Sequence, residues 1–234
     1  MPNARAISPG NHLIDGLPRR DRDRLLARCT PFDLVLSEVL CEPGETMSHV
    51  YFPTEGFISL LTAASGTHGL EVGMVGSEGL LGAHVALGVP TAPQRALVQG
   101  AGSALRIEWR ACRAELAQGV ALQRSLGRYV YVLMAQQASA AACLRYHPIG
   151  PRLARWLLMS QDRARSATFR ITQAFLAYML GVRRVGVTQA AGMLQHAGLI
   201  EYHRGAVTVL DRAGLEAAAC GCYADDRRAY DALL

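Results

Sequence analysis

The sequence predicts an α+β fold in three parts: a β jelly roll in the N-terminal half, one long helix, and a C-terminal helix-turn-helix carrying a β-hairpin wing. Three observations carry that reading. Short β-rich runs from Phe32 to about Ile107 are separated by Pro-Gly, Glu-Gly and Ser-Gly turn signals. Gly119 to Tyr146 contains no proline and holds a helical pattern throughout, which at about 1.5 Å per residue spans roughly 40 Å. Ile171 to Ile200 carries two apolar runs at helical spacing with Gly181 between them. These place a jelly-roll domain at 13–118, the long helix at 119–146 and the helix-turn-helix domain at 147–234.

The chain has 234 residues, half of them hydrophobic, enough for sizeable cores. It shows no apolar run long enough to span a bilayer and no hydrophobic signal core, so a cytoplasmic location without membrane attachment is expected. There is no nucleophile elbow, Walker loop, dinucleotide GxGxxG or paired metal-ligand motif, which argues against an enzyme. All 24 basic side chains apart from histidine are arginine. Residues 1–146 hold 13 arginines against 12 acids, a net of +1, and residues 147–204 hold 8 against 2, a net of +6. The basic character is therefore concentrated in the C-terminal part, and arginine suits bidentate contact with phosphate and guanine.

Residues 1–12 read as a loose tail. Leu13 to Cys29 reads as a short helix after Pro18, with Leu25 and Leu26 inward and a solvated charged face. Within the jelly roll the informative stretch is Gly73 to Gly82, GMVGSEGLLG. Ser77 suits a helix N-cap, Glu78 suits the first turn, and the glycines let backbone N–H groups converge, so a small anion site and a tight corner with a one-turn helix both fit.

In the long helix, Leu122, Leu126, Tyr129, Leu133, Gln136, Ala140 and Cys143 are spaced alternately four and three, a heptad seam. Pairing with the same seam of a second chain is expected, with Gln136 fixing register; packing within the chain is the other reading. His147-Pro148-Ile149-Gly150-Pro151 forms the hinge. From Arg152 to Arg163 a helix resumes, with Leu153, Trp156, Leu157 and Leu158 inward. After the wing, Gly214 to Leu234 makes one or two terminal helices.

In the helix-turn-helix, Gly181 is suited to end the first helix in the left-handed conformation. The turn from Gly181 to Arg184 has the length that sets two helices at a steep angle. The second helix keeps small or polar outward positions at Gly186, Thr188, Gln189 and Gly192, so it can lie on a groove floor. An ordinary core hairpin of two helices is the competing reading of these residues alone. Glu201 to Leu210, EYHRGAVTVL, favours the first, because a hairpin directly after a helix-turn-helix is a wing whose tip carries His203 and Arg204 toward phosphate.

The order of helix, LGVRR turn, second helix ending AGLI, and hairpin closing on VLDRAGL resembles the C-terminal domain of the Crp/Fnr family of bacterial transcription regulators. CEPGE followed by VYFPTEGFISLL resembles the opening hairpins of that family's cyclic-nucleotide-binding domain. The resemblance implies a homodimer on double-stranded DNA, reading a roughly palindromic site, with RNA polymerase as a further partner where such a protein activates. Arg184 and Gln189 are expected to read bases, Arg183 to read or to hold phosphate, and Arg152, Arg155, Arg170 and Arg204 to hold phosphate. Arg184 stands where relatives place an arginine on guanine, but their following glutamate is Val185 here and their second reading arginine is Gln189, so the family half-site does not carry over.

In relatives that bind cyclic AMP, the 73–82 loop supplies a glutamate for the ribose and a later arginine, followed by serine or threonine, holds the phosphate. Glu78 matches the glutamate. Arg95 is the one counterpart for the arginine, and Ala96 and Leu97 follow it. The effector residues expected on this basis are Gly76, Ser77, Glu78, Gly79 and Arg95, with an unknown effector other than cyclic AMP. Cys29 and Cys41 do not make the cysteine group of the family's iron–sulfur sensors, and His49, His68 and His84 carry no haem motif. Cys220-Gly221-Cys222 is a ligand pair without a partner pair, so neither metal nor cofactor is expected. The alternative function is a cyclic-nucleotide-binding-like interaction protein without specific DNA binding.

Overall fold

The structure, a computed structural model, describes residues 10–63, 69–203 and 205–234. Two short helices, α1 (His12–Asp15) and α2 (Arg19–Leu26), open the described chain. The expected loose tail is corrected for its last residues: the buried Asn11 amide donates to the carbonyls of Pro53 (2.9 Å) and Gly79 (2.8 Å) and seats α1 on the barrel. Residues 1–9 and His68 lie outside the described residues. On the inner side of α2, Arg24 and Arg28 both reach Glu115, which is 1% exposed, at 2.5 and 2.8 Å. Two guanidiniums on one buried carboxylate supply the partners that its burial demands.

The jelly roll consists of β1 (Thr30–Leu34), β2 (Val39–Cys41), β3 (His49–Pro53), β4 (Phe57–Thr62), β5 (Leu70–Val75), β6 (Arg95–Gly100) and β7 (Gly102–Glu108). All pairings are antiparallel, in two sheets of order β1-β7-β3 and β2-β6-β4-β5. A 3₁₀ turn, Ala83–Leu87, crosses between them. In β4, Phe57 to Leu61 is an unbroken run of buried residues because both of its faces are covered. Ile58 and Leu60 point into the barrel core, whereas Phe57 and Leu61 join Met74 and Leu97 in a second core built with the C-terminal domain.

Helix α3 (Trp109–Gln118) leads into α4 (Val120–Tyr146), 27 residues long as the proline-free run implied. His147 and Pro148 then separate α4 from α5 (Ile149–Ala164), so the hinge is shorter than expected. Pro151 sits in the first turn of α5, where a missing N–H costs nothing. Strand β8 (Thr168–Arg170), α6 (Gln173–Leu180), α7 (Arg184–His196), β9 (Ile200–His203), β10 (Ala206–Val209), α8 (Arg212–Ala218) and α9 (Cys222–Leu233) complete the chain. The C-terminal core gathers Leu153, Trp156, Leu157 and Leu158 of α5 with the inner faces of α6 and α7 and the wing. Each such fully buried side chain contributes roughly 1.5–3 kcal/mol.

The expected seam of α4 is corrected. Leu122, Leu126, Tyr129, Gln136 and Cys143 are buried against their own chain, and Leu133 packs on the barrel core. The Tyr230 hydroxyl of α9 donates to the Gln136 amide oxygen (3.2 Å), so Gln136 serves an intrachain contact. The stripe one residue further on is more open: Met134 is 66% exposed, Gly127 has nothing within 4 Å of where a Cβ would stand, and Val130, Gln137 and Leu144 are half-buried. Both stripes have heptad spacing, and periodicity alone selects the one richer in leucine, which the barrel and α9 already use.

Candidate nucleic-acid interface

Thr172 caps α6 by accepting the Phe175 N–H at 3.2 Å, and Gly181 ends it with φ +61°. A residue with a Cβ is strained in that conformation, so the glycine sets the tight turn into α7. Val187, Ala190, Ala191 and Leu194 seat α7 on the domain core, which leaves its opposite face outside. Arg183, Arg184, Thr188 and Gln189 are exposed there. Thr188 is tethered, since its hydroxyl donates to the Gln173 side-chain oxygen (2.7 Å) and contacts the Arg184 carbonyl (3.1 Å). That bond couples the start of α6 to the face of α7.

Gly186 is a correction. A Cβ there would stand 2.7 Å from Ile149 Cδ1, so this glycine faces α5 and allows α7 to approach it, and does not face outward. Two exposed residues on α7 were not singled out by sequence: Val185, 61% exposed, and Met193, 64% exposed. Their signal was present, as large apolar residues at positions that helical spacing turns outward, and apolar groups on a reading helix suit thymine methyls.

The wing is a three-stranded sheet of order β8-β10-β9, one strand more than the hairpin read from sequence. Arg170 and His203 both register opposite Ala206, so the two exposed side chains flank the same end of β10. The Tyr202 hydroxyl donates to the Ile171 carbonyl (2.8 Å) and its N–H donates to Gln195 (3.1 Å), fixing wing to helix. Arg204 lies outside the described residues.

Two expected phosphate ligands are turned inward. The Arg152 guanidinium is buried and donates to the Leu180 carbonyl, closing the end of α6. Arg155 pairs with the buried Asp226 of α9 at 2.5 Å. Both were assigned from charge alone, and a helix that packs on three neighbours spends its arginines inside.

The 73–82 loop makes an interdomain joint. Glu78 accepts from the Gly76 N–H (3.1 Å) and from Arg163 of α5 (2.8 Å), while Arg165 donates to the Ser77 hydroxyl (3.1 Å). Ser77 is therefore not a helix cap, and the Gly76 N–H is already taken by the loop's own carboxylate. A Cβ on Gly79 would stand 2.0 Å from the Tyr129 hydroxyl, so this glycine admits α4. The structure does not bring Arg95 to this loop: Arg95 pairs with Glu42 at 3.3 Å, and Glu78 lines a 300 Å³ cavity with Arg163, Arg212 and Tyr230. A separate cavity of 230 Å³ lies between the barrel and α4, bounded by Leu60, Leu81, His84, Gln94, Leu133 and Met134 among others. Among the described residues, no arginine, aspartate or glutamate lines it.

Beside the joint, Glu71 of β5 accepts from the Ser59 hydroxyl (2.5 Å) and the Trp156 indole N–H (3.0 Å). The residue as a whole is partly exposed, but both carboxylate oxygens are enclosed, and burial pushes its carboxyl up to about 7 against the pull of those two donors.

An arginine-bearing helix held outward by a helix-turn-helix, beside a wing with basic edges, defines the class as a DNA-binding transcription regulator. Residues 151–218 match the Crp-like helix-turn-helix domain family. No curated protein sequence matches the chain. Among solved structures it is similar to FixK2 from Bradyrhizobium japonicum, with a TM-score of 0.66 and 14% identity over 82% of this chain and 98% of that one. It is likewise similar to the c-di-GMP responsive global regulator CLP of Xanthomonas campestris, with a TM-score of 0.65 and 15% identity over 82% of this chain and 99% of that one. A third is a CRP-family transcriptional regulator of Thermus thermophilus, TTHB099, with a TM-score of 0.65 and 21% identity over 81% of this chain and 96% of that one. Residues 151–218 thus carry a Crp-like helix-turn-helix domain, and the chain shares its overall fold with these regulators. Among the described residues, no helix is long and apolar enough to cross a membrane.

Proposed function

We propose that the protein binds a roughly palindromic DNA site as a homodimer. The observation that carries this is the free outer face of α7, where Arg184 and Gln189 stand exposed beside Arg183, with Arg170 and His203 at the wing edge. Arg184 reads a guanine edge and Gln189 an adenine edge, while Arg170 and His203 meet phosphate. Val185 and Met193 add apolar contact.

Two copies pair through the open stripe of α4: Val120, Gln123, Gly127, Val130, Met134, Gln137, Ala141 and Leu144. Its support is the heptad spacing and the exposure of Val120 and Met134. A two-fold dimer sets two α7 helices about one helical turn apart, which makes the site palindromic. The effector is a small molecule other than cyclic AMP, received by the apolar 230 Å³ cavity, which lacks a cation for a cyclic phosphate. Cyclic AMP therefore binds poorly, and submicromolar binding by calorimetry would refute that. The dimer is tested by light scattering of wild type and Met134→Arg. The wild type runs as a dimer and the variant as a monomer with unchanged circular dichroism; a monomeric wild type overturns the assignment.

A further inference from the structure

Three of the six cysteines, Cys29, Cys41 and Cys112, lie buried in the barrel core, and burial pushes their thiols up to about 12, 11 and 12, which makes them inert core residues. The other three converge. Cys143 in the last turn of α4, His147 directly after that helix, Cys220 in the turn between α8 and α9, and Cys222 at the start of α9 bring their Sγ and ring nitrogen atoms all within 4.8 Å of one another. Cys143 Sγ is 3.5 Å from Cys220 Sγ, and Cys222 Sγ is 3.6 Å from His147 Nδ1. The three cysteines form a small buried cluster of their own, separate from both hydrophobic cores.

We propose that Cys143, His147, Cys220 and Cys222 form a Cys₃His site for a thiophilic divalent metal ion, zinc by chemistry, that clamps the end of α4 to the α8–α9 turn.

The geometry fits four ligands around one tetrahedral ion. Zinc–thiolate bonds of about 2.3 Å place neighbouring ligand atoms about 3.8 Å apart, and a nitrogen ligand shortens that edge slightly. The observed 3.5 and 3.6 Å lie close to those edges, and both are far longer than the sulfur–sulfur bond of a disulfide, about 2.05 Å. Three thiolates and one neutral imidazole leave a divalent site with a net charge of −1 once the thiols release their protons to solvent. Arg152 of α5 stands near enough to interact electrostatically with Cys143 and Cys220 and offsets that charge, whereas the nearby Arg155 is already paired with Asp226. The ligands also arrive from separate elements: Cys143 and His147 bracket the end of α4 one turn apart, and Cys220-Gly221-Cys222 comes from the α8–α9 junction of the DNA-reading domain. His147 and Pro148 are the short hinge between the two, so an ion here holds the reading domain at one angle to the long helix.

The test uses the full-length protein purified under reducing conditions. Elemental analysis is expected to find about one zinc per chain. Cobalt(II) added to chelator-stripped protein is expected to give thiolate-to-cobalt charge-transfer absorption together with intense tetrahedral ligand-field bands, saturating at about one equivalent. In C220S/C222S the charge-transfer bands fall to the level of the single remaining thiolate or vanish, and zinc content drops toward none. H147Q, at a position that is not buried, guards against a fold defect and is expected to retain metal weakly, with altered ligand-field bands. Stripping lowers the wild-type melting temperature and zinc restores it, with neither effect in C220S/C222S. Absence of thiolate-bound cobalt in the wild type, or full metal content in C220S/C222S, overturns the proposal, as does a melting temperature indifferent to zinc.

Discussion

The arginines of α5 and those of α7 lie within one domain and one basic stretch of sequence, yet they do opposite things. Arg152, Arg155 and Arg163 are turned inward onto a carbonyl, Asp226 and Glu78. Arg183 and Arg184 are turned outward with no acidic partner among the described residues. The net charge of +6 over residues 147–204 therefore overstates the surface that meets DNA. Arg163 is neutralised by Glu78 across the joint between the barrel and the reading domain, and Arg155 by Asp226 within the reading domain itself.

That contrast breaks most sharply at Arg163. Arg163→Ala leaves Glu78 enclosed beside Tyr230 without its cation, and removal of one member of a buried pair costs roughly 3–5 kcal/mol. Thermal or urea unfolding is expected to show the loss in full, and an unchanged midpoint would mean the joint is not closed in solution.

Glu71 is the next largest effect, and it depends on pH. The folded chain holds its proton up to about 7, whereas the unfolded chain releases it near 4.5. Its contribution to stability is greatest below about 4.5 and falls as pH rises through 7, by an amount on the order of 3 kcal/mol. Glu71→Gln keeps one acceptor for Trp156 or Ser59 and is expected to flatten that part of the pH–stability curve. A curve as steep as the wild type's would locate the titrating group elsewhere.

On the outward side, Arg184→Ala should leave unfolding unchanged and cost about 1–3 kcal/mol in binding to the selected site, with relaxed preference at one base pair. Equal weakening on every duplex would reassign Arg184 to phosphate. The smallest effect is expected at Arg170. Its replacement by Ala should weaken binding uniformly and reduce the salt dependence by about one counterion.

Much of the architecture was legible in the sequence because it rests on local signals. Gly181 announced the turn, the proline-free run announced α4, and the Arg204-Gly205 dipeptide announced the hairpin. The misreadings share one physical cause, which is contact between elements distant in sequence. The leucine-rich stripe of α4 read as a seam for a second chain because heptad spacing does not say whether a stripe meets its own barrel or another copy, and the barrel and α9 take it. Gly186 looked like an outward small residue until Ile149 was found against it. The GSEG loop looked like an anion site until Arg163 and Arg165 arrived from 85 and 88 residues away. Cys220 and Cys222 read as an incomplete pair, since their companions lie at the far end of α4, 77 and 75 residues earlier in the contacts that join them.

The most direct test of DNA reading by a symmetric dimer is selection of sites from a random duplex pool by the purified protein, at near-physiological salt. The account predicts recovery of a shared palindrome whose half-sites lie about one helical turn apart and whose preference at one base pair of each half-site relaxes with Arg184→Ala. Recovery of unrelated duplexes with equal affinity, or of a single asymmetric half-site, would contradict it.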